Sequence, residues 1–325
     1  MTGPRASAAG GRPTRTLFLG SGIFAVPFLE ALLADDGIEV VGVVAPPDRP
    51  AGRSGAPTAV PIAAAARRLG LPLLQPERLR APETAAAIVD LRPDLGVLAD
   101  FGRIVPPSIL EIPARGILNV HPSLLPRHRG ATPIPATILA GDKTAGVTVM
   151  VMDAGLDSGP ILGSRAWPLD GSETAPDLEA RAAREGAALL RDLLAPFLGG
   201  DLAPRAQDGA SATMTRPLRR EDGRLDPGHA AELLERQVRA HAPWPGSYLE
   251  LPADRVGVLR AGVASGQATD RAGELVADGD GLALATADGR LRLLEVQPAG
   301  GRPMSGAAYR RGRREVLGPP VGGPA

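Results

Sequence analysis

The sequence predicts an α/β protein: a doubly wound, mostly parallel sheet followed by a smaller β domain. Between residues 15 and 170, short apolar runs alternate with helical stretches. This alternation is typical of parallel sheets whose strands are connected through helices. Beyond residue 229, one helix precedes several short strands separated by Gly and Asp turns, which predicts a small β-barrel. A length of 325 residues is sufficient for two domains.

In the N-terminal part of the chain, short Val-, Ile- and Leu-rich segments predict strands, and the segments between them predict helices. Thr174 is predicted to cap a long helix, with Asp177 in its first turn. The predicted strands are 16–20, 40–45, 95–100, 116–120 and 146–152, and the other predicted helices lie near 25–34 and 61–69.

The turn Gly20-Ser21-Gly22 follows the first strand and opens a helix, as in Rossmann-like folds. The third glycine of the dinucleotide fingerprint is replaced by Ala25, and no ribose-binding acid stands out after the second strand. We therefore predict a tight strand-to-helix turn here rather than an NAD site.

Composition suggests four segments. Residues 1–14 are predicted to be a disordered tail, 15–200 a catalytic domain, 201–218 a polar linker rich in Gly and Pro, and 219–325 the C-terminal domain.

Several functional classes are disfavoured by composition. The absence of cysteine excludes disulfides, thiolate metal sites and a cysteine nucleophile. The four histidines lack the i, i+4 spacing of a helical zinc site, and we expect no metal. There is no secretory signal and no apolar run of about 18 residues, so we expect a cytoplasmic protein without a membrane span.

The net charge is zero, but one segment is strongly basic. Residues 290–314, the C-terminal arginine strip, contain seven Arg and one acid, Glu295. Such a strip indicates either a phosphate-bearing partner or an ordinary solvated surface.

The segment around Asn119 and His121 is the first candidate for chemistry. If 116–120 is a buried strand, residues at i and i+2 point to the same face. They lie at its carboxyl end, where open α/β sheets bind ligands. Asn can donate to a developing oxyanion and His can transfer a proton. Taken by itself, however, this short motif favours a satisfied structural pair over a catalytic one.

A second candidate is the turn after strand 146–152, which contains Asp153 and Asp157 among glycines. Asp157 beside His121 would orient the imidazole and raise its pKa. Asp153 is explained equally well as a residue that caps the loop.

Together these segments resemble a known family. HPSLLPRHRGATPI (121–134), followed by GVTVMVMDAGLDSGPIL (146–162), resembles the folate-dependent formyltransferases. FLGSGIFAVPFLEALL (18–33), PPDRPAGRSG (46–55), HAPWPGSYLEL (241–251) and LRLLEVQPAGGRPM look most like the members that act on initiator methionyl-tRNA. The similarity extends from about residue 16 to residue 314.

The resemblance implies a catalytic triplet of Asn119, His121 and Asp157. It implies transfer from 10-formyltetrahydrofolate, a co-substrate, to the α-amine of the charged tRNA, with protonated His121 and Asn119 stabilising the oxyanion. The implied folate contacts are Phe101, Gly102, Arg103, Ile104, Val105, Ser123, Leu124, Leu125, Pro126 and Asp153.

The resemblance also implies an OB-like C-terminal barrel that contacts tRNA through the arginine strip, in a protein expected to be a monomer. Arg127 and Arg129 either position the acceptor end or serve as structural salt-bridge donors. The implied tRNA contacts are Arg49, Arg53, Arg127, Arg129, Arg310 and Arg311.

Two alternatives remain open at this stage. One is a formyltransferase that acts on an amino-sugar nucleotide, because some of those proteins have a similar second domain; the runs RGATPI and MDAGLDSGPI look closer to the tRNA-directed members. The other is an RNA-binding module with an inactive enzyme domain, against which the intact triplet argues.

Overall fold

The computed structural model describes residues 12–50, 57–251, 254–313 and 317. Residues 1–11 of the predicted tail, Arg53 and Arg314 lie outside the described residues. The chain forms two compact units. The first comprises the described residues of Met1–Arg129, Gly146–Ala166 and Ala180–Met214, and the second those of Gly130–Ala145, Trp167–Glu179 and Thr215–Ala325. The predicted boundaries at 15–200, 201–218 and 219–325 stay a prediction.

The strands confirm the predicted apolar segments within one or two residues. In chain order they are β1 Thr14–Gly20, β2 Ile38–Val44, β3 Arg49–Pro50, β4 Pro57–Thr58, β5 Leu73–Leu74, β6 Leu95–Ala99, β7 Ile117–His121, β8 Arg129–Gly130, β9 Thr144–Val151, β10 Ile161–Pro168, β11 Met214–Thr215, β12 Ser247–Leu251, β13 Asp254–Ala264, β14 Leu275–Asp278, β15 Gly281–Ala285, β16 Arg290–Pro298 and β17 Met304–Ser305.

The helices also agree with the sequence pattern. In chain order they are α1 Val26–Leu33, α2 Pro61–Arg68, α3 Pro82–Asp90, α4 Pro107–Leu110, α5 Pro133–Leu139, α6 Ala175–Gly199, α7 Ala231–Ala240 and α8 Gly306–Gly312. Among the described residues, no helix is long and apolar enough to cross a membrane.

The main sheet is doubly wound and mostly parallel, as predicted. Its strand order in the described chain is β10-β9-β7-β6-β1-β2-β5. The pairs from β5 to β7 are parallel, whereas β9 runs antiparallel to β7. Fully buried strands such as β6 and β7 are held between covered faces, as expected for parallel sheets. This arrangement places His121 at the carboxyl end of a central strand.

The start of α6 shows how local sequence determines an element. The Thr174 side chain accepts from the backbone N–H of Asp177 at 3.4 Å, and the Asp177 carboxylate accepts from the backbone N–H of Thr174 at 3.1 Å. These reciprocal bonds satisfy two donors that a helix start leaves without partners. The predicted cap at Thr174 is confirmed.

The second unit contains an antiparallel sheet in the order β12-β13-β16-β15-β14, with β17 beside β16. A bulge in β13 near Arg260 interrupts its register with β16, and bulges of this kind bend a strand. The core is apolar and includes Leu234 and Val238 of α7 with Leu284, Leu291 and Val296 of the sheet. The predicted order, one helix followed by several short strands, is confirmed, and the structure shows that these strands pair in antiparallel fashion.

Candidate active site

Asn119 and His121 lie near the carboxyl end of β7. Both residues are buried, with 6% and 5% of their surface exposed. β6 and β9 flank β7 and pair with it through the backbone. Because both side chains contact the same carboxylate, they share one face of the strand, which confirms the i, i+2 expectation.

That carboxylate belongs to Asp157, on the loop after β9. Its Oδ1 accepts from the Asn119 amide Nδ2 at 3.2 Å, and its Oδ2 lies 3.7 Å from His121 Nδ1. The Asp157 side chain is 14% exposed. The structure therefore brings together all three residues of the predicted triplet, which we call the Asn-His-Asp cluster.

The loop that contains Asp157 is held in a specific shape. Asp153 accepts from the Gly155 backbone N–H at 3.0 Å and from the Ser158 hydroxyl at 2.9 Å. The carboxylate of Asp153 thus forms hydrogen bonds within its own loop. This favours the interpretation that Asp153 caps the loop over a contact between its side chain and folate. Asp157 itself has a φ of 49°, in the left-handed region, which costs a non-glycine residue about 1 kcal/mol.

A residue that the sequence did not single out supports this loop. The Gln207 side-chain amide donates to the carbonyl oxygens of Asp157 at 2.8 Å and Gly159 at 2.7 Å. Two such bonds contribute about 1 kcal/mol each, enough to offset the backbone cost at Asp157. Gln207 lies in the predicted polar linker, where the absence of periodicity offered no signal for a structural role.

The imidazole of His121 has a defined tautomer. Its Nε2 lies 3.0 Å from the backbone carbonyl of His128. A carbonyl can only accept, so Nε2 carries the hydrogen and Nδ1, facing Asp157, carries the lone pair in the neutral ring. The peptide that carries this carbonyl is itself fixed, because its N–H, that of Arg129, donates to the Thr213 carbonyl at 2.9 Å.

The pKa of His121 depends mainly on the burial of its side chain. Burial is the main influence and lowers the pKa of His121 below its usual 6.5, while Asp157 acts in the opposite direction. A pKa below 6.5 leaves the resting imidazole mainly neutral near pH 7. The expectation that protonated His121 stabilises the oxyanion concerns the reaction intermediate and stays a prediction. Only the three-dimensional structure could show that desolvation of the imidazole lowers its pKa by more than the Asp157 carboxylate raises it.

The turn after β7 consists of residues predicted to contact folate. Ser123 is buried and its hydroxyl donates to the Arg127 carbonyl at 2.7 Å, while its own carbonyl accepts from Thr148 at 2.7 Å. The Thr148 oxygen also accepts from the backbone N–H of Leu125 at 3.2 Å. The hydroxyl of Ser123 thus shapes the 123–127 turn, and Leu124 and Pro126 are half-buried in the same turn.

The loop after β6 combines buried anchors with exposed apolar surface. Phe101 and Val105 are buried in the core of the first unit, where Met152 packs against the same cluster. Gly102 has a φ of 68°, while Ile104 is 76% exposed. The Arg103 guanidinium donates to the carbonyls of residues 76 and 77 at 2.8 and 2.6 Å. Phe101 and Arg103 therefore fix the loop, leaving Ile104 at the surface.

The predicted tRNA contacts occupy different settings. Arg49 and Arg127 are exposed. Arg129 directs its guanidinium Nε and Nη2 to the Gln207 carbonyl oxygen at 3.1 and 2.8 Å, which favours the structural interpretation of this residue. Arg310 donates to the carbonyls of residues 279 and 281 at 2.8 and 3.0 Å. Arg310 and the exposed Arg311 line a cavity of about 560 Å³ in the second unit.

The C-terminal arginine strip is not a uniform basic surface. Arg290 is buried and paired with Asp270 at 2.6 Å, with side chains only 8% and 10% exposed. Arg292 pairs with Asp278 at 2.7 Å. The expectation that the whole strip follows phosphates is wrong for Arg290, whose charge is enclosed and neutralised.

Chemically, the Asn-His-Asp cluster provides an amide donor, a neutral imidazole and a carboxylate at the end of a parallel strand. An amide N–H can stabilise an oxyanion that forms at a carbonyl carbon. A neutral imidazole beside a carboxylate can accept a proton. Fold and cluster are thus those of an enzyme able to catalyse group transfer at a carbonyl carbon.

Residues 14–194 match the family described as formyl transferase, and residues 217–314 match the formyl transferase C-terminal domain. The chain therefore belongs to the formyl transferase family. It is 46% identical over 310 residues to the methionyl-tRNA formyltransferase of Roseiflexus castenholzii, with 95% of this chain and 99% of that protein covered. The methionyl-tRNA formyltransferase of Halorhodospira halophila is also 46% identical, with 94% and 99% covered.

Solved structures share the fold at lower sequence identity. The N-formyltransferase of Helicobacter canadensis, solved with folinic acid and dTDP-3-aminofucose, superposes with a TM-score of 0.63 at 15% identity. The match covers 86% of this chain and 98% of that protein. This likeness shows the fold alone.

Proposed function

We propose that this protein transfers the formyl group of 10-formyltetrahydrofolate to the α-amine of initiator methionyl-tRNA, as a step in translation initiation. The observation that carries the proposal is the Asn-His-Asp cluster, in a chain nearly half identical along its length to methionyl-tRNA formyltransferases. These relatives resemble the chain far more closely than the sugar N-formyltransferase that shares its fold.

The cluster supports direct transfer without a covalent enzyme intermediate. The neutral amine attacks the formyl carbon, and the formyl C=O becomes an oxyanion. The Asn119 amide uses one N–H for Asp157 at 3.2 Å, so its other N–H remains for the oxyanion.

Proton transfer follows from the tautomer of His121. The Nδ1 lone pair accepts the proton that the attacking nitrogen loses, and Asp157 at 3.7 Å stabilises the resulting imidazolium. The C–N bond to the folate nitrogen then breaks, and the proton passes to that nitrogen directly or through water. A neutral resting imidazole suits this role because a protonated ring could not accept the proton.

We propose that the loops near the cluster bind the folate. A pterin has flat apolar faces and a hydrogen-bonding edge, and such ligands bind where apolar side chains accompany a few polar groups. Ile104 is 76% exposed and Leu156 is 55% exposed. These side chains and the backbone groups of 101–105 and 153–157 would hold the ring, with Leu125 and its neighbours along the 123–126 turn.

The acceptor tRNA is proposed to contact Arg49, Arg53 and Arg127 in the N-terminal half and Arg310 and Arg311 in the C-terminal half. Arg129 contributes through the loop that it supports. We further propose that the protein acts as a monomer in the cytoplasm, where charged initiator tRNA is used.

The test is formyl transfer from 10-formyltetrahydrofolate to methionyl initiator tRNA by the wild type and by Asp157→Asn. We expect robust transfer by the wild type and a fall of at least about 10²-fold in the variant, the loss typical of a missing electrostatic group. The pKa of His121, followed by NMR, should fall in the variant because Asp157 raises it. A wild type that ignores the tRNA but formylates an amino-sugar nucleotide would replace the proposed acceptor.

A further inference from the structure

Gln207 is the point where three separate segments meet. Its amide nitrogen donates to the carbonyls of Asp157 and Gly159, and its oxygen accepts from the Nε and Nη2 of Arg129. The residues on either side, 203–206 and 208–211, are exposed, whereas Gln207 is half-buried. A single inward side chain in an exposed run indicates a specific role for that side chain.

The hydrogen-bonding capacity of Gln207 is fully used. A primary amide has two N–H donors, and both are directed to the two loop carbonyls, while the acceptor oxygen receives two donors from Arg129. No group of Gln207 remains for a substrate. Its influence on chemistry must therefore act through the loop that it holds.

That loop determines where the Asp157 carboxylate lies. Asp157 is in the left-handed region at φ 49°, and its side chain extends from this peptide to Asn119 and His121. The carbonyl bound by Gln207 belongs to the same residue. Releasing it allows the backbone to relax toward ordinary φ values, and this rotation moves the carboxylate away from the imidazole.

We propose that Gln207 is a positioning residue that holds the Asp157 carboxylate against His121 and Asn119 for formyl transfer. This inference rests on the proposed function, because it assigns Gln207 a part in that reaction. Arg129 orients Gln207 from the other side. A segment predicted as a plain linker thus supplies a part of the catalytic geometry.

Three variants test the proposal. Gln207→Met keeps the approximate length and removes every hydrogen bond. Gln207→Glu keeps the partnership with Arg129 but places acceptors against two carbonyls. Gln237→Met is the matched control, because the amide of Gln237 also donates to two carbonyls, those of Asp222 and Arg224, both at 3.0 Å, in the second unit.

We expect Gln207→Met and Gln207→Glu to lower kcat by about tenfold to a hundredfold, the cost of a misplaced group. The control should retain kcat at saturating substrates. The pKa of His121, measured by NMR, should fall in Gln207→Met because the carboxylate that raises it has moved. If Gln207→Glu performs like the wild type, only the contact with Arg129 matters and the proposal is overturned.

Combining the substitution with Asp157→Asn separates positioning from general structure. If Gln207 acts through Asp157, Gln207→Met adds little further loss in kcat to Asp157→Asn. Fully additive losses would overturn the proposal. Absence of formyl transfer by the wild type would instead refute the proposed function. In that case the pKa of His121 in Gln207→Met would still decide whether Gln207 positions Asp157.

Discussion

The Asn-His-Asp cluster and the C-terminal arginine strip differ in how side chains are used. In the cluster, two residues of β7 and one from a distant loop converge on each other within 3.7 Å and are nearly enclosed. In the strip, residues close in sequence have separate environments. Arg290 is buried in an ion pair, whereas Arg311 is exposed.

The difference indicates where large effects are to be expected. Removing one group from an enclosed, preorganised cluster removes an interaction that water cannot replace. Removing one exposed cation from a surface changes an interaction that solvent already screens. Arg290 lies in the C-terminal arginine strip, but its burial resembles that of the Asn-His-Asp cluster.

The largest effect is expected for Asn119→Ala. Loss of the amide that faces the oxyanion should lower kcat by about 10²–10³-fold, measured by steady-state formyl transfer. Thr16→Ala serves as the control, since it removes another fully buried polar side chain of the same sheet, outside the cluster. An equal loss in both variants would show that disturbing the sheet, rather than removing the donor, limits the rate.

The second effect concerns stability. Arg290→Gln leaves Asp270 without its partner and should lower the free energy of unfolding by about 3 kcal/mol, as when one partner of a buried pair is removed. Arg290 lowers the pKa of Asp270 to about 2, from 3.8. The stabilisation is therefore complete above pH 4 and is lost as the pH falls toward 2.

Denaturant unfolding of the wild type and Arg290→Gln between pH 7 and pH 2 would test this expectation. The difference between the two proteins should be constant near neutrality and shrink in acid. Arg292→Gln, which removes the half-exposed partner of Asp278, is the control and should cost less than about 1 kcal/mol. A pH-independent difference for Arg290→Gln would point to packing rather than the ion pair.

The smallest effect is expected for Arg311→Gln. It should leave unfolding unchanged and raise KM for tRNA by no more than about tenfold, while the dependence of log KM on log salt weakens by about one unit. Arg184→Gln on α6 makes the same change in net charge and serves as the control. Equal responses of the two variants to salt would remove Arg311 from the tRNA contacts.

Much of the fold and of the site could be predicted from the sequence, because these features depend on the pattern of residues that are close together in the chain. Alternation of strands and helices predicted the sheet, and the spacing of Asn119 and His121 placed both on one face of β7. The chain also contains a single asparagine, Asn119, which is a compositional signal that sequence reasoning can use. Asp157 was a candidate because it lies in the Gly-rich turn after β9, and its place in the catalytic triplet was predicted from the family resemblance.

By itself, then, the sequence determined the fold class, the order of the elements and the identity of the three clustered residues. Only the tertiary structure decided that burial lowers the pKa of His121, that Gln207 supports Asp157 and that Arg290 is enclosed. Hydrophobic periodicity involves residues that are close in sequence, so it can be recognised from the sequence alone. Desolvation, charge pairing and side-chain bridging depend on residues 20 to 50 positions apart, which become neighbours only when the chain folds.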